Sequence, residues 1–317
     1  MPGMKILVLG AGAIGGYFGS RLVQAGADLS FLVRERRAAQ LRAQGLVVRS
    51  PHGDFQVPVR TVLQAELRSP FDLVLLACKA YDLAPAMEAI RPAMGPGSFV
   101  LPLLNGVAHI ETLQSCFGAA RVVAGSAAIP ASLSPAGEVL HLSALHRIVF
   151  GMLPQSGPQA LGRLEELRRL FGTTPVEAVL AADIWLELWE KFSGLATLAA
   201  MTCLMRAAVG DILESEDGAF FLDQTFAACV RVAEAAGHPP REAAKSRFRE
   251  LLHARGSILM ASMLRDVESL HAAEGAHIVG DMLQRARAAG IEPGALRHAW
   301  CHLQSYEARR AREAGKA

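Results

Sequence analysis

A glycine-rich segment near the start of the sequence carries its clearest chemical pattern. Gly10, Gly12 and Gly15 form G-x-G-x-x-G directly after the apolar residues 6–9, which have the length of a short buried strand. Glycines at these places allow a sharp turn, close approach of a pyrophosphate to the backbone, and close packing of the next helix. The segment therefore predicts a dinucleotide-binding turn, and a tight strand–helix turn without a ligand is the alternative.

Arg34, at the end of the predicted second strand, bears on which dinucleotide would be bound. An acidic residue there would bind the ribose 2′-hydroxyl of NAD, whereas an arginine accommodates the 2′-phosphate of NADP. Arg36 and Arg37 follow, with Glu35 as the opposing acid. The pattern favours NADPH, although a solvated basic start of a helix would use the same residues.

Lys79 and Asn105 each come directly after a predicted buried strand. Ligands of open α/β sheets bind outside the carboxyl ends of the strands, so both side chains are expected near a cofactor or substrate. An ordinary surface lysine and an ordinary Asn-Gly turn are the alternatives.

Two charged residues of the second half lie beside predicted apolar helix faces. Lys191 borders a polar stripe formed by Asp183, Glu187, Glu190 and Thr197. It could reach a half-buried cleft, pair with Glu187 on the surface, or extend along the helix to water. Glu274 is predicted to share a helical stripe with Val267, Leu270 and Ile278. A carboxylate on such a face is costly unless paired, which suggests a functional site.

Composition and the remaining polar residues exclude several other classes of function. The net charge of +2 gives no sign of nucleic-acid binding. His141 and His146 lack a telling partner and are predicted to be structural. The five cysteines are dispersed without a C-x-x-C pair, which favours reduced thiols in a cytoplasmic protein and no metal site. The uncharged residues 192–205 are too few to cross a membrane, and no signal peptide fits before the first strand.

Hydrophobic periodicity predicts two domains that must position these residues. Predicted strands are residues 6–9, 28–34, 47–49, 55–59, 71–78, 98–104, 122–128, 137–141, 147–151 and 174–178. Predicted helices are 161–170 and then, in the second half, 180–205, 218–237, 240–263, 266–290 and 294–312. We therefore predict an α/β fold, with an N-terminal Rossmann-type dinucleotide-binding domain over residues 1–179 and an all-α C-terminal domain over residues 180–317. A cleft between domains is the expected place for a substrate.

Taken together, these residues resemble the ketopantoate reductase (2-dehydropantoate 2-reductase) family over nearly the whole chain. The matching segments are 10–15, Arg34, Lys79-Ala80, Asn105-Gly106, residues 188–191, residues 262–266 and Glu274. The resemblance implies reduction of ketopantoate to pantoate with NADPH, in the pathway to pantothenate and coenzyme A. It implies a small-molecule 2-oxo acid as the partner, and a homodimer is compatible with it.

The resemblance also implies a role for each matched residue. The cofactor-binding positions would be Gly10, Gly12, Ala13, Ile14, Gly15, Arg34, Lys79 and Asn105, with Arg34 and Lys79 holding the 2′-phosphate. The catalytic positions would be Lys191 and Glu274. The substrate would be bound by Asn105, Lys191, Ser262 and Glu274. In this mechanism Lys191 gives a proton and a positive charge to the developing alkoxide, Glu274 orients the substrate or the lysine, and Asn105 holds the substrate.

Four positions depart from the family pattern. Asparagines of the family are replaced here by Leu195, Ala199, Val209 and Leu259. Asparagine supplies directional hydrogen bonds that these side chains cannot supply, so a paralogue with a less polar ketoacid or ketone is the first alternative. A non-catalytic NADP(H)-binding sensor is the second, although it would not need Lys191 and Glu274. Arg206 is a speculative replacement anchor for the substrate carboxylate, or simply a solvated helix-end arginine.

Overall fold

The protein, described here by a computed structural model over residues 3–315, consists of two compact units. The first unit contains the residues up to Leu104 together with His109–Ile184. The second contains Asn105–Ala108 together with the residues from Trp185 onward. The four residues Asn105–Ala108 therefore interrupt the sequence of the first unit and belong to the second.

The first unit is built on strands that form three sheets. The strands are β1 (Lys5–Leu9), β2 (Asp28–Leu32), β3 (Leu46–Arg49), β4 (Phe55–Val57), β5 (Arg60–Val62), β6 (Leu73–Leu76), β7 (Phe99–Pro102), β8 (Ala124–Ala128), β9 (Ala131–Leu133), β10 (Val139–His141), β11 (Arg147–Gly151) and β12 (Glu177–Leu180). Its helices are α1 (Ala13–Gln24), α2 (Glu35–Gln44), α3 (Leu83–Ile90), α4 (Ala108–Phe117, whose first residue belongs to the second unit) and α5 (Ala160–Phe171). All ten predicted strands correspond to an observed strand, whereas the three-residue strands β5 and β9 were missed.

The main sheet is five-stranded and parallel throughout, in the order β5-β2-β1-β6-β7. Its central strand β1 is buried on both faces, as expected for a parallel strand covered by helices. The order reverses at β1, because β2 pairs on one side and β6 on the other. The carboxyl ends of β1 and β6 are therefore the place in this unit where an α/β sheet binds a ligand.

Two smaller sheets complete the first unit. One has the order β4-β3-β10-β9, and its antiparallel pair β3–β4 confirms the hairpin predicted across residues 51–54. The other has the order β12-β11-β8, and β8 follows a bridge between Val122 and Val100 of β7. The core of this unit lies around α1, where Tyr17, Phe18 and Leu22 are fully buried.

The second unit is helical, which confirms the predicted fold class. Its helices are α6 (Ile184–Met205), α7 (Val209–Leu213), α8 (Gly218–Ala235), α9 (Glu242–Leu252), α10 (Ser262–Glu268), a π-helical turn (Ala276–Gly280), α11 (Asp281–Ala288) and α12 (Leu296–Ala314). The predicted helices 240–263 and 266–290 were wrong in their extent. The chain leaves the helical conformation after Leu252, and it leaves it again after Glu268, where Leu270 has a φ of 58°.

Candidate active site

The turn between β1 and α1 has the geometry that a dinucleotide needs. Gly10 has a φ of 87°, a conformation that L side chains rarely adopt. A Cβ at Gly15 would lie 2.3 Å from the carbonyl oxygen of Gly10, whereas one at Gly10 or Gly12 would meet no atom within 4 Å. There is therefore no room for a side chain where Gly15 packs on the turn, whereas the space beside Gly10 and Gly12 is empty. The first N–H groups of α1 have no partner within the helix and are available to an anion. The residues present fit a pyrophosphate.

Arg37, which the sequence analysis named only as a basic residue after Arg34, fixes this turn. Arg37 of α2 donates from Nη2 to the carbonyl oxygen of Ala11 at 2.8 Å and from Nη1 to that of Gly137 at 2.9 Å. Burial lowers the pKa of Arg37. The guanidinium thus ties the glycine turn to the hairpin between β9 and β10.

Arg34 and Lys79 follow two strands that flank β1. Arg34 is exposed directly before α2, and Lys79 is half-buried directly before the short 3-10 helix Ala80–Asp82. Because β2 and β6 both pair with β1, the two residues follow strand ends that are two strand spacings apart, about 10 Å. One phosphate with its ribose could contact both.

Lys191 is held in the second turn of α6. Its neighbours Leu188, Trp189 and Phe192 are buried, and its Nζ donates to Oδ1 of Asn105 at 3.1 Å. Burial lowers the pKa of Lys191 to about 8, while the charge of Glu274 acts in the opposite direction. At neutral pH the side chain is therefore an ammonium that can give up its proton readily, which is what a general acid requires.

The acidic residues beside Lys191 have a structural role. Arg241, directly before α9, donates to Glu187 at 2.5 Å and to Glu190 at 2.6 and 2.7 Å. Glu190 is 4% exposed and also accepts the backbone N–H of Arg241. Of the predicted polar stripe, Glu190 and Thr197 are therefore buried, whereas Glu187 is half-buried and Asp183 is exposed just before α6. These contacts join α6 to α9 and fix the helix that carries Lys191.

Glu274 is buried, but not in the way that the sequence predicted. It lies beyond the end of α10, in an irregular segment that leads into a new helical turn, so it shares no helical stripe with Val267 and Leu270. The left-handed conformation of Leu270 ends the earlier helix. The carbonyl oxygen of Glu274 accepts the N–H groups of His277 and Ile278 at 3.1 Å, and the residue is 7% exposed. Glu274 therefore lies at a helix start, a position that favours an acidic residue.

His277 is the residue near this site that the sequence analysis missed. Its ring hydrogen-bonds with the backbone of Asn105, and burial lowers its pKa while Glu274 raises it. The sequence signal was Glu-x-x-His, which places two polar side chains one turn apart at the start of a helix. Lys191, Asn105, Glu274 and His277 therefore form one cluster within the second unit.

Ser262 and Arg206 are both exposed, and their positions give little support for a role in the site. Ser262 is the exposed first residue of α10, and its side chain makes no hydrogen bond to the residues that the structure describes. Arg206 is exposed directly after α6 with a φ of 55°, which matches the alternative of a helix-end arginine.

Two of the four positions where the family carries asparagine, Val209 and Leu259, belong to the hydrophobic core of the second unit. Val209 donates its backbone N–H to the carbonyl oxygen of Leu259 at 2.9 Å, and both pack with Met201 and Ile212. Ala199 is fully buried and Leu195 is half-buried on α6. On α6, Leu195 and Ala199 follow Lys191 at one-turn intervals, so they share its side of the helix.

The two histidines singled out in the sequence each hydrogen-bond with a side chain of the first unit. Nδ1 of His141 hydrogen-bonds with the Ser50 hydroxyl at 2.9 Å, and Nδ1 of His146 hydrogen-bonds with the Tyr17 hydroxyl at 2.6 Å. These contacts support the prediction that both histidines are structural. Within residues 3–315, no group of three histidine, cysteine or acidic side chains is arranged to hold a metal ion. Over the same range, no helix is both long and apolar enough to span a membrane.

Comparison with known proteins gives matches over both units. The model for the ketopantoate reductase PanE/ApbA family matches residues 6–155, and the model for the C-terminal part of ketopantoate reductase PanE/ApbA matches residues 183–307. An uncharacterized oxidoreductase, YkpB, from Bacillus subtilis (strain 168) is 32% identical over 96% of this chain and 99% of its own. The 2-dehydropantoate 2-reductase of Aquifex aeolicus (strain VF5) is 24% identical over 84% of this chain and 85% of its own. The crystal structure of 2-dehydropantoate 2-reductase from Geobacter metallireducens GS-15 superposes with a TM-score of 0.85 at 29% identity, over 95% of this chain and 99% of that one.

Proposed function

Because the chain belongs to the ketopantoate reductase family, a family of oxidoreductases, we propose that it reduces a small 2-oxo acid with NADPH. The observation that carries the proposal is the pairing of Lys191 Nζ with Asn105 Oδ1 next to the buried Glu274. A lysine with a pKa of about 8 is suited to donate a proton to an alkoxide at neutral pH.

Each polar residue of the cluster has a part in this reaction. When bound, the nicotinamide cofactor supplies the hydride that the carbonyl carbon accepts. As the carbonyl π pair moves onto the oxygen, Lys191 Nζ donates its proton there and the neutral amine is later reprotonated from water. Asn105 orients the ammonium or the substrate through its amide, and the Glu274 carboxylate keeps the ammonium from losing its proton too early.

The proposed cofactor is NADPH, held by the first domain, residues 1–179, with catalysis in the second, residues 180–317. The open glycine turn of Gly10, Gly12, Ala13, Ile14 and Gly15 would receive the pyrophosphate. Arg34 and Lys79 would receive the 2′-phosphate, because arginine and lysine bind phosphate through charge-assisted hydrogen bonds. We further propose that the enzyme is cytoplasmic and that it can form a homodimer.

The side chains after Lys191 on α6 favour a less polar substrate than ketopantoate. Leu195 and Ala199 cannot return a hydrogen bond to a substrate hydroxyl that has been stripped of water, at a cost of about 1–3 kcal/mol for each unsatisfied group. A 2-oxo acid with a plain alkyl tail has no such group. We therefore propose this class of substrate ahead of ketopantoate, whose reduction would make the chain an enzyme of pantothenate biosynthesis.

The experiment is a comparison of kcat/KM for ketopantoate and for alkyl 2-oxo acids of similar size, with NADPH. We expect the alkyl acids to be preferred, and we expect Leu195→Asn, but not the volume-matched Leu195→Met, to shift the preference toward ketopantoate. A clear preference for ketopantoate in the unaltered protein would instead assign it to pantothenate synthesis. NADPH binding without reduction of any 2-oxo acid would contradict the proposal and favour a cofactor sensor.

A further inference from the structure

His277 lies against the loop that carries Asn105. Its ring hydrogen-bonds with the Asn105 backbone, and the ideal Cβ position of Gly106 lies 3.3 Å from Cδ2 and 3.4 Å from Nε2 of that ring. Gly106 itself has a φ of 79°. The imidazole thus packs on a peptide whose conformation only glycine adopts easily.

The same loop carries the acceptor for Lys191. Asn105 Oδ1 accepts from Lys191 Nζ at 3.1 Å, so a single residue is bonded through its backbone to His277 and through its side chain to the lysine. The backbone N–H of His277 in turn donates a hydrogen bond to the carbonyl oxygen of Glu274 at 3.1 Å. His277 therefore links the helix start that carries Glu274 to the loop that carries Asn105.

We propose that His277 is a positioning residue of the reductase, whose ring holds the Asn105–Gly106 main chain so that Asn105 Oδ1 faces Lys191 Nζ. The expected change in kcat rests on the proposed function, whereas the contact between His277 and the Asn105 backbone does not. A neutral imidazole has one N–H donor and one acceptor, and the backbone carbonyl of Asn105 requires the donor. Loss of the ring would free the loop to shift, and a displacement of about 1 Å near reacting groups can cost about 100-fold in rate.

The test is a double-mutant cycle on His277 and Asn105. We expect His277→Phe and Asn105→Ala each to lower kcat by about 10- to 100-fold, with the NADPH dissociation constant nearly unchanged. Because His277 acts through Asn105, the double variant should lose no more than about twofold beyond Asn105→Ala alone. His277→Gln keeps an N–H donor and should retain kcat within about threefold. His298→Phe is the matched control, because His298 is exposed on α12.

A second measurement separates this inference from the proposed function. The chain has five lysines, so the Nζ-bearing carbon of Lys191 can be followed by NMR in lysine-labelled protein and assigned with Lys191→Arg. His277→Phe should move the titration midpoint of Lys191 in the same direction as Asn105→Ala, whereas His277→Gln should leave it in place. A midpoint that responds to Asn105→Ala but not to His277→Phe, or kinetic losses that multiply in the double variant, would overturn the role of His277. Absence of turnover in the unaltered protein would overturn the proposed function and leave the NMR result to decide on His277.

Discussion

At the scale of single residues, the proposed role of Lys191 as the acid depends on how burial changes its pKa. An exposed lysine with a pKa near 10.4 holds its proton too firmly to be an efficient acid at neutral pH. Burial removes water from the Lys191 ammonium and lowers its pKa to about 8. The charge of Glu274 limits this shift, so the group remains mostly protonated at pH 7.

We expect the pH dependence of kcat to follow the protonation of Lys191. Reduction requires the protonated amine, so kcat for reduction should fall about tenfold per pH unit above pH 8. Oxidation of the hydroxy acid requires the neutral amine and should rise through the same range. Lys191→Ala should lower kcat by about 10²–10⁴-fold while NADPH affinity is retained. Steady-state rates in both directions from pH 6 to about 10 measure this. A Lys191→Ala enzyme within twofold of the original rate would show that the lysine is not the acid.

At the scale of elements, the β1–α1 turn depends on one steric fit. A Cβ at Gly15 would lie 2.3 Å from Gly10 O and 3.2 Å from Val8 Cγ1, so α1 would have to move away from β1. The obstructing atom at 2.3 Å belongs to the backbone and cannot rotate aside.

Gly15→Ala should therefore lower the free energy of unfolding by about 1–3 kcal/mol, in the range of overpacked cores, and weaken NADPH binding. The matched control is Gly162→Ala in the exposed first turn of α5, where a Cβ would meet no atom within 4 Å. Because alanine has less conformational freedom than glycine in the unfolded chain, that variant should gain about 0.4–1 kcal/mol of stability. Urea unfolding and cofactor titration measure both. Equal effects of the two substitutions would contradict the steric argument.

A histidine cluster connects α1 to the sheet β4-β3-β10-β9. The rings of His52 and His146 stack with centroids 3.8 Å apart, His141 lies 5.4 Å from His146, and Tyr17 OH contacts His146 Nδ1. Arg21, 4% exposed, adds a positive charge nearby. Burial first, and then these charges, lower the pKa of His146 to about 4 and also lower that of His141.

This cluster should make the first unit sensitive to acid. The unfolded chain takes up protons on histidine near pH 6.5, before the folded His146 does, so stability falls as pH drops from about 6.5 to 4. Each such proton contributes a slope of up to about 1.4 kcal/mol per pH unit. His146→Asn keeps an acceptor for Tyr17 and should remove one proton from the slope. Chemical unfolding at pH 7, 6, 5 and about 4.5 tests this, and a slope that is the same in His146→Asn and in the unaltered protein would refute it.

At the scale of the whole molecule, cofactor binding should appear as added stability. A ligand that binds only the folded protein stabilises it by about 2.7 kcal/mol at 100 times its dissociation constant. In the proposed binding mode NADPH contacts the glycine turn, Arg34 and Lys79, whereas NADH has no 2′-phosphate for the last two.

NADPH should therefore raise Tm by several degrees more than NADH at equal concentration, because about 1 kcal/mol moves Tm by roughly 2–4 °C in chains of 150–250 residues. Arg34→Ala should erode the difference and leave the NADH effect nearly unchanged. Arg36→Ala, at an exposed position two residues on, should preserve it. Equal shifts by both cofactors in the unaltered protein would show that the basic residues after β2 do not select NADPH.

The sequence by itself determined the features that are encoded by neighbouring residues. The buried run before Gly10, the glycine spacing and the change from strand to helical periodicity predicted the first strand, its turn and the α/β-then-helical fold. Lys191 and Glu274 were noticed because a charge beside apolar residues is unusual within a short window.

Tertiary structure decided what depends on residues distant in the chain. Lys191 meets Asn105 across 86 positions, and its lowered pKa follows from desolvation that no local pattern states. Glu274 was placed on the wrong helix because the left-handed Leu270 interrupts a periodicity that continues in the sequence. His277 went unnoticed because its partner is a backbone group, which any residue type provides. Side-chain periodicity records which face of an element is buried, whereas the partner on that face is selected only when the chain folds.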